Sequence, residues 1–320
     1  MYHYVRDLEH SRYPGIKGLT VDDFRGQLDF LSTHYRFITV DELLVTLASP
    51  EKQITGHPVL LTFDDGYLDH FVNVFPVLDE KKIQGCFFPP AKPIQEHLVL
   101  DVNKIHFILA AADIQEIVRN LLSMLDSARD EYELESNDRY YQLYAHPSRF
   151  DIPDVAFVKT ILQKILPQPC RKQITDALFR KFVASDEGAF SQDLYMSIDQ
   201  IKCMQRSGMY IGSHGFSHLW MDTISEQEQQ LEIEGSIKFL GELGCDPDSW
   251  SFNYPYGAYD NSTVSLLRGR SCRFGLTTKV GIADLSSENS LTLPRLDTND
   301  LPKTKDAIPN QWTLDVINER

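Results

Sequence analysis

Val59-Leu60-Leu61-Thr62-Phe63-Asp64-Asp65-Gly66 runs from an unbroken apolar stretch straight into two acids and a glycine. A continuous run such as residues 59–63 fits a strand buried on both faces, the kind found in parallel sheets. Adjacent residues on a strand point in different directions, so Asp64 and Asp65 can hold different jobs. One can bind a metal while its neighbour takes a proton, and a cation would relieve their mutual repulsion. The bland alternative is a helix N-cap followed by a first-turn acid.

The flanking sequence repeats the same rhythm. Residues 21–35 place Phe24, Leu28 and Leu31 on one helical face behind Thr20, a candidate cap. Residues 36–40 read as a strand. A helical pattern follows Gly66 as far as residue 81, and residues 85–88 read as a strand stopped by Pro89-Pro90. The alternation resumes near residue 197. Ser197 with Gln200, and Ser225 with Glu228, have capping-box spacing. Residues 209–212, 250–254, 273–277 and 291–293 read as further strands. Strands alternating with helices imply parallel β/α units. Their number predicts an α/β fold, a barrel of about seven strands forming a single domain over residues 1–320. Residues 97–190 break the rhythm with helical patterns at 105–125, 155–166 and 171–183. This block reads as a helical insertion, a lid or an oligomer surface, whose Tyr141 and Tyr144 either stack on a sugar or serve packing.

Composition narrows the classes. The chain has 320 residues, 42% hydrophobic and 24% charged, which excludes wholesale disorder. No run of about 18 apolar residues exists, so no transmembrane segment is expected. The net charge of −15 and the absence of a Lys/Arg cluster argue against nucleic acid and anionic membranes as partners. Cys86, Cys170, Cys203, Cys245 and Cys272 form no C-x-x-C pair, so they read as free thiols in a reducing compartment. No secretory apolar segment follows the first residues, and a cytoplasmic chain is the expectation.

Three more strings sit at strand ends. Ser213-His214-Gly215-Phe216-Ser217-His218 contains His-x-x-x-His, a spacing that presents two imidazoles to one metal on a single helical turn. Surface or core histidines are the plain alternative. Asp65, His214 and His218 together supply two nitrogens and one oxygen and leave a position open for water, the count of a catalytic rather than a structural zinc. Phe252-Asn253-Tyr254-Pro255-Tyr256-Gly257 reads by itself as a Pro/Gly turn. Leu293-Pro294-Arg295-Leu296 places a lone Arg after a strand, where a surface cation is the default.

In this order and spacing the four strings resemble the polysaccharide deacetylase (NodB-homology, carbohydrate esterase family 4) family. Residues 62–66 match its first motif in full, and His214 and His218 match its second. Pro255-Tyr256-Gly257 matches the core of its third. The resemblance spans roughly residues 1–96 and 191–300. It implies a distorted (β/α) barrel and metal-dependent removal of N-acyl or O-acyl groups from a sugar. Three departures stand out. Asn253 holds the place of the family's motif-three Arg, the usual Asp/Trp motif is not apparent, and no His follows His218 to make the late Leu-x-His motif. Tyr2-His3 resembles the opening string of the poly-N-acetylglucosamine deacetylase branch, in which an early His takes the general-acid place.

On that resemblance, Asp65, His214 and His218 hold a divalent metal, with Zn²⁺ expected and Fe²⁺, Co²⁺ or Ni²⁺ accepted by the same donors. Asp64 is the general base, His3 the general acid, and Arg295 the group that fixes Asp64. The backbone N–H of Tyr256 is the oxyanion donor. The expected substrate is an N-acetylated sugar. In a cytosolic setting this means a nucleotide sugar, a lipid-linked saccharide or another precursor of a bacterial surface polysaccharide such as O-antigen. Two readings compete: a saccharide-binding or scaffold barrel without catalysis, and a deacylase of a non-sugar amide.

Overall fold

The computed structural model describes residues 1–49, 54–148, 151–285 and 289–318. The chain divides into two compact units, one of residues 1–7, 18–96 and 192–320 and the other of residues 8–17 and 97–191.

The first unit is α/β. Its strands are β1 (Arg36–Phe37), β2 (Pro58–Val59), β3 (Leu61–Asp64), β4 (Gly85–Phe88), β5 (Tyr210–Ile211), β6 (Trp250–Asn253), β7 (Cys272–Val280) and β8 (Leu293–Arg295). Every strand pair is parallel, in the orders β1-β2, β3-β4-β5 and β6-β7-β8. Parallel neighbours need a crossover, and helices such as Phe75–Lys81, Ile198–Arg206, Glu226–Leu243 and Asn261–Arg268 provide it. Parallel bridges extend the hydrogen bonding beyond the sheets, among them Tyr2 to Phe63 and Ser213 to Phe252. The amine of Met1 donates to the carbonyl of Leu296 at 2.6 Å, just past β8.

Side-chain alternation sets what faces where. Leu61 and Phe63 lie on one side of β3. Phe63 stacks between Tyr2 and Phe87, its partners across the strands, at centroid distances of 4.9 and 4.7 Å. Thr62 and Asp64 therefore share the opposite side. All four residues of β3, β4 and β6 are buried, as a parallel sheet covered by helices requires. A core of Ile38, Val40, Leu43, Cys86, Phe88, Phe274, Leu276 and Leu293 anchors the sheets.

Several boundaries differ from the sequence reading. The strand expected at 36–40 ends at Phe37, because Thr39 caps a new helix, Val40–Ala48, through a complete capping box with Glu42. The strand expected at 291–293 lies at Leu293–Arg295, so Arg295 is on the strand rather than after it. The single helical pattern at 105–125 is two helices, Asp101–Ala111 and Ile114–Tyr132, because Asp113 accepts from the backbone of Gln115 and Glu116 and caps the second.

The second unit is helical, and residues 8–17 belong to it together with the expected insertion. Tyr13 packs edge-on against Phe107, and Phe190 meets both Phe107 and Phe179. Lys104 is 1% exposed and lies between Asp176 and Glu187, which satisfy its charge. Tyr141 bonds through its hydroxyl to Asp154 and packs on Phe157, so its ring serves this unit's own structure. Among the described residues, no helix is long and apolar enough to cross a membrane.

Candidate active site

The chemistry-bearing residues of the first unit gather at the carboxyl ends of its strands, where open and closed parallel sheets alike place their ligands. Asp64 ends β3 and Asp65 follows it. Asp65 and Gly66 both adopt left-handed backbone, with φ of 70° and 68°. A side chain at Gly66 would put its Cβ 2.7 Å from that of Pro89, so the turn admits only glycine there. The sharp turn sends the two carboxylates to different partners.

Arg295, which is 7% exposed, meets Asp64 with a bidentate fork. Nη1 donates to Oδ1 and Nη2 to Oδ2, each at 2.8 Å. The remaining donors reach Thr62 Oγ1 at 3.0 Å, Asn253 Oδ1 at 2.9 Å and the Thr277 carbonyl at 2.9 Å. All five guanidinium N–H groups are thus satisfied in a buried setting. Burial pushes the Asp64 carboxyl up, but the charge and hydrogen bonds of Arg295 outweigh it and hold Asp64 well below the usual carboxylate range. His3, on the segment that bridges to β3, brings Nε2 to 3.9 Å from Asp64 Oδ2, with its side chain 41% exposed.

Asp65 turns to the histidines. Its Oδ1 lies 3.3 Å from His214 Nε2 and 3.4 Å from His218 Nε2, and all three residues are buried. The imidazoles do not share a helical turn. Ser213 bridges to β6, and the chain then loops through Gly215 (φ 78°) and His218 (φ 59°). The loop is pinned from Glu232, whose carboxylate accepts from the backbone of Ser217 at 2.7 Å. His218, Asp65 and Tyr256 are non-glycine residues held in left-handed backbone, a strain of about 1–3 kcal/mol each that surrounding structure must overcome.

This donor set fits a divalent cation. His214 Nδ1 lies 2.7 Å from the Asn253 carbonyl, which can only accept, so Nδ1 carries the proton and Nε2 directs its lone pair at Asp65. One carboxylate oxygen and two imidazole nitrogens, all within 4.8 Å of one another, converge on one point. Such acceptors repel unless a cation or proton lies among them. Burial holds His218 below its ordinary value, which keeps that imidazole neutral for a ligand's role.

Tyr256 lies in the Pro-Tyr-Gly turn. Its ring is 4.8 Å from that of His218 and stacks on Trp220 at 4.1 Å with 5° between planes. Gly257 (φ 70°) passes so close to Thr278 that a Cβ there would meet its Oγ1 at 2.1 Å. The structure therefore brings Asp64, Asp65, His3, His214, His218 and Arg295 together and sets Tyr256 against His218. The sequence reading did not find three supporting residues. Asn253, noted only as a departure from the family pattern, holds both Arg295 and His214. Thr62 joins the arginine's shell, and Tyr67 donates to Asp65 Oδ2 at 2.5 Å. Alternation along β3 was a usable signal for Thr62; nothing in the local pattern signalled Tyr67.

The chain belongs to the polysaccharide deacetylase family, whose match covers residues 51–127 and 181–273. His3 and Arg295 lie outside the matched segments. Chitin deacetylase 2 of Saccharomyces cerevisiae is 36% identical over 73 residues, which are 23% of this chain and 22% of that protein. YxkH of Bacillus subtilis is 28% identical over 89 residues, 28% of this chain and 32% of that protein. The matched part thus spans no more than about a third of either relative. Among solved structures, the Streptococcus pyogenes deacetylase PplD, in complex with acetate, superposes with a TM-score of 0.57 at 15% identity, over 93% of each chain. IcaB from Ammonifex degensii superposes with a TM-score of 0.50 at 18% identity, over 98% of this chain and 94% of that one. At such identities the likeness shows the fold.

Proposed function

We propose that this protein is a metal-dependent deacetylase that removes an N-acetyl group from a sugar. The observation that carries the reading is the division of labour at the end of β3: Asp65 faces two imidazoles, while Asp64, beside it, is held ionised by Arg295. A divalent cation held by Asp65, His214 and His218, with zinc the expected one, would supply Lewis acidity for the acyl carbonyl and for an attacking water. Asp64 takes the water's proton; its fork with Arg295 keeps it in the form that can accept one. His3, within 4 Å of Asp64 and open to solvent, donates a proton to the leaving amine. The Tyr256 backbone N–H, in its strained turn beside His218, serves the developing oxyanion.

The pathway from Tyr2 through β3, β4 and β5 to β6, β7 and β8, with Met1 bonded to Leu296, supports a distorted barrel of about seven strands. In that arrangement His3 neighbours the last strand, and the missing late histidine is replaced from the other end of the chain. The cysteines are free thiols, which favours a reducing compartment. A cytosolic enzyme would act on a nucleotide sugar, a lipid-linked saccharide or another surface-polysaccharide precursor.

The test is metal content and acetate release, measured together on wild type, Asp65→Ala and His214→Ala, over a panel of N-acetylated nucleotide sugars, oligosaccharides and simple amides. About one metal per chain, lost in both variants along with acetate release from a sugar, is the expected result. Release only from simple amides would replace the sugar with another amide. Absence of metal even after reconstitution would sink the mechanism and favour a saccharide-binding protein.

A further inference from the structure

We infer that Tyr67 is a positioning residue for the metal centre, committing Asp65 to ligation through one oxygen; the inference rests on the metal-site reading above. The two oxygens of Asp65 have separate partners. Oδ1 faces both imidazoles, and Oδ2 accepts the Tyr67 hydroxyl at 2.5 Å. With Oδ2 occupied by a donor, only Oδ1 is turned to the centre.

The geometry is rigid enough to impose this choice. Tyr67 is fully buried. Its ring stacks on Tyr4 at 4.1 Å and on Tyr195 at 6.2 Å, with interplanar angles of 20° and 10°. Tyr67 and Tyr195 also bridge through their backbones, and Met196 donates to the Gly66 carbonyl at 2.9 Å. The left-handed turn at Asp65-Gly66 is what folds residue 67 back beneath residue 65. Outer-sphere partners of this kind typically change metal affinity about 10–100-fold when removed.

The experiment loads Co²⁺ into metal-free wild type, Tyr67→Phe and, as a control, Tyr210→Phe. Tyr210→Phe also removes a hydroxyl from a largely buried tyrosine, one that bonds Ser251 at 2.9 Å rather than a metal ligand. Chelator competition gives the dissociation constant, the visible cobalt band reports coordination, and thermal melting reports folding. In Tyr67→Phe, a cobalt dissociation constant weakened about 10–100-fold with a changed cobalt band is expected. Tyr210→Phe should lower the melting temperature and leave both metal readouts at the wild-type value. Wild-type affinity and spectrum in folded Tyr67→Phe would overturn the role of Tyr67 and leave the metal centre standing. Failure of wild type to bind cobalt would overturn both. If Tyr67→Phe does not fold, 3-fluorotyrosine at position 67 takes its place, changing the donor strength of the same hydroxyl: a shifted cobalt band supports the inference, and the wild-type band overturns it.

Discussion

Arg295 and Asp64 form a two-pronged ion pair with both contacts at 2.8 Å, and the two residues come from strands at opposite ends of the hydrogen-bonded series. The pair joins β8 to β3 and sets the charge state of the proposed base in one contact. A buried ion pair is weak evidence for net stability, but breaking one side of it leaves an uncompensated charge. Arg295→Met should therefore destabilise the fold by about 3–5 kcal/mol in urea unfolding. Without the guanidinium the Asp64 pKa rises, so in any active remainder the acid limb of the pH–rate profile moves to higher pH. An unmoved limb would refute the coupling.

His3 is proposed to act late, on the leaving amine. His3→Gln should lower kcat for an N-acetyl sugar by about 10²–10⁴-fold while metal content stays at the wild-type level. An activated ester such as 4-nitrophenyl acetate, whose leaving group needs no proton, should lose far less. Equal losses on both substrates would remove His3 from the general-acid role.

His70 carries a pH signature. It is fully buried, its Nε2 donates to the His3 carbonyl at 2.9 Å, and burial holds its pKa down to about 4 against an ordinary 6.5. The unfolded chain therefore binds a proton below pH 6.5 that the folded chain refuses until about pH 4. Stability from this residue is complete above 6.5 and falls as pH drops through that window, by about 1.4 kcal/mol per unit and about 3 kcal/mol in all. In urea titrations between pH 7 and 4, His70→Gln should show a shallower decline than wild type. Parallel curves would contradict the assignment.

Gly66 turns the chain where the two carboxylates part. Gly66→Ala should cost at least about 1–2 kcal/mol from left-handed backbone alone, with the Pro89 contact at 2.7 Å adding to it. Because Asp65 precedes it, metal affinity should fall as well. Chelator competition and urea unfolding on the same sample would separate a purely local change, in which stability drops and affinity holds.

The strings that carry the chemistry were legible because each is local. An apolar run ending in Asp64-Asp65-Gly66, the spacing of His214 and His218, and the Pro255-Tyr256-Gly257 turn need only a few consecutive residues to be seen. Element boundaries were less so. Thr39 and Asp113 cap helices that periodicity alone had merged with a strand or with the preceding helix. The His-x-x-x-His spacing suggested a helical turn, whereas the residues form a loop with His218 in left-handed backbone, because the pin from Glu232 is distant in sequence.

Residue types and order by themselves determined the α/β class, the family, and the set of acids, histidines and arginine that could do the chemistry. Hydrophobic period and turn residues act over short range, and a motif is a short-range object. Residue type and spacing left open which carboxylate takes which partner; the family resemblance assigned Asp64 to Arg295 and Asp65 to the imidazoles, and only the tertiary structure supplies the reason. Asp64 and Asp65 are neighbours of the same type, and the left-handed turn that begins where β3 ends is what sends one to Arg295 and the other to the imidazoles. The supporting shell of Asn253, Thr62 and Tyr67 was decided in the same way. Each contributes a hydrogen bond of about 3 Å or less to a site residue, and an interaction with that reach has no counterpart in sequence distance once strands 231 positions apart are brought side by side.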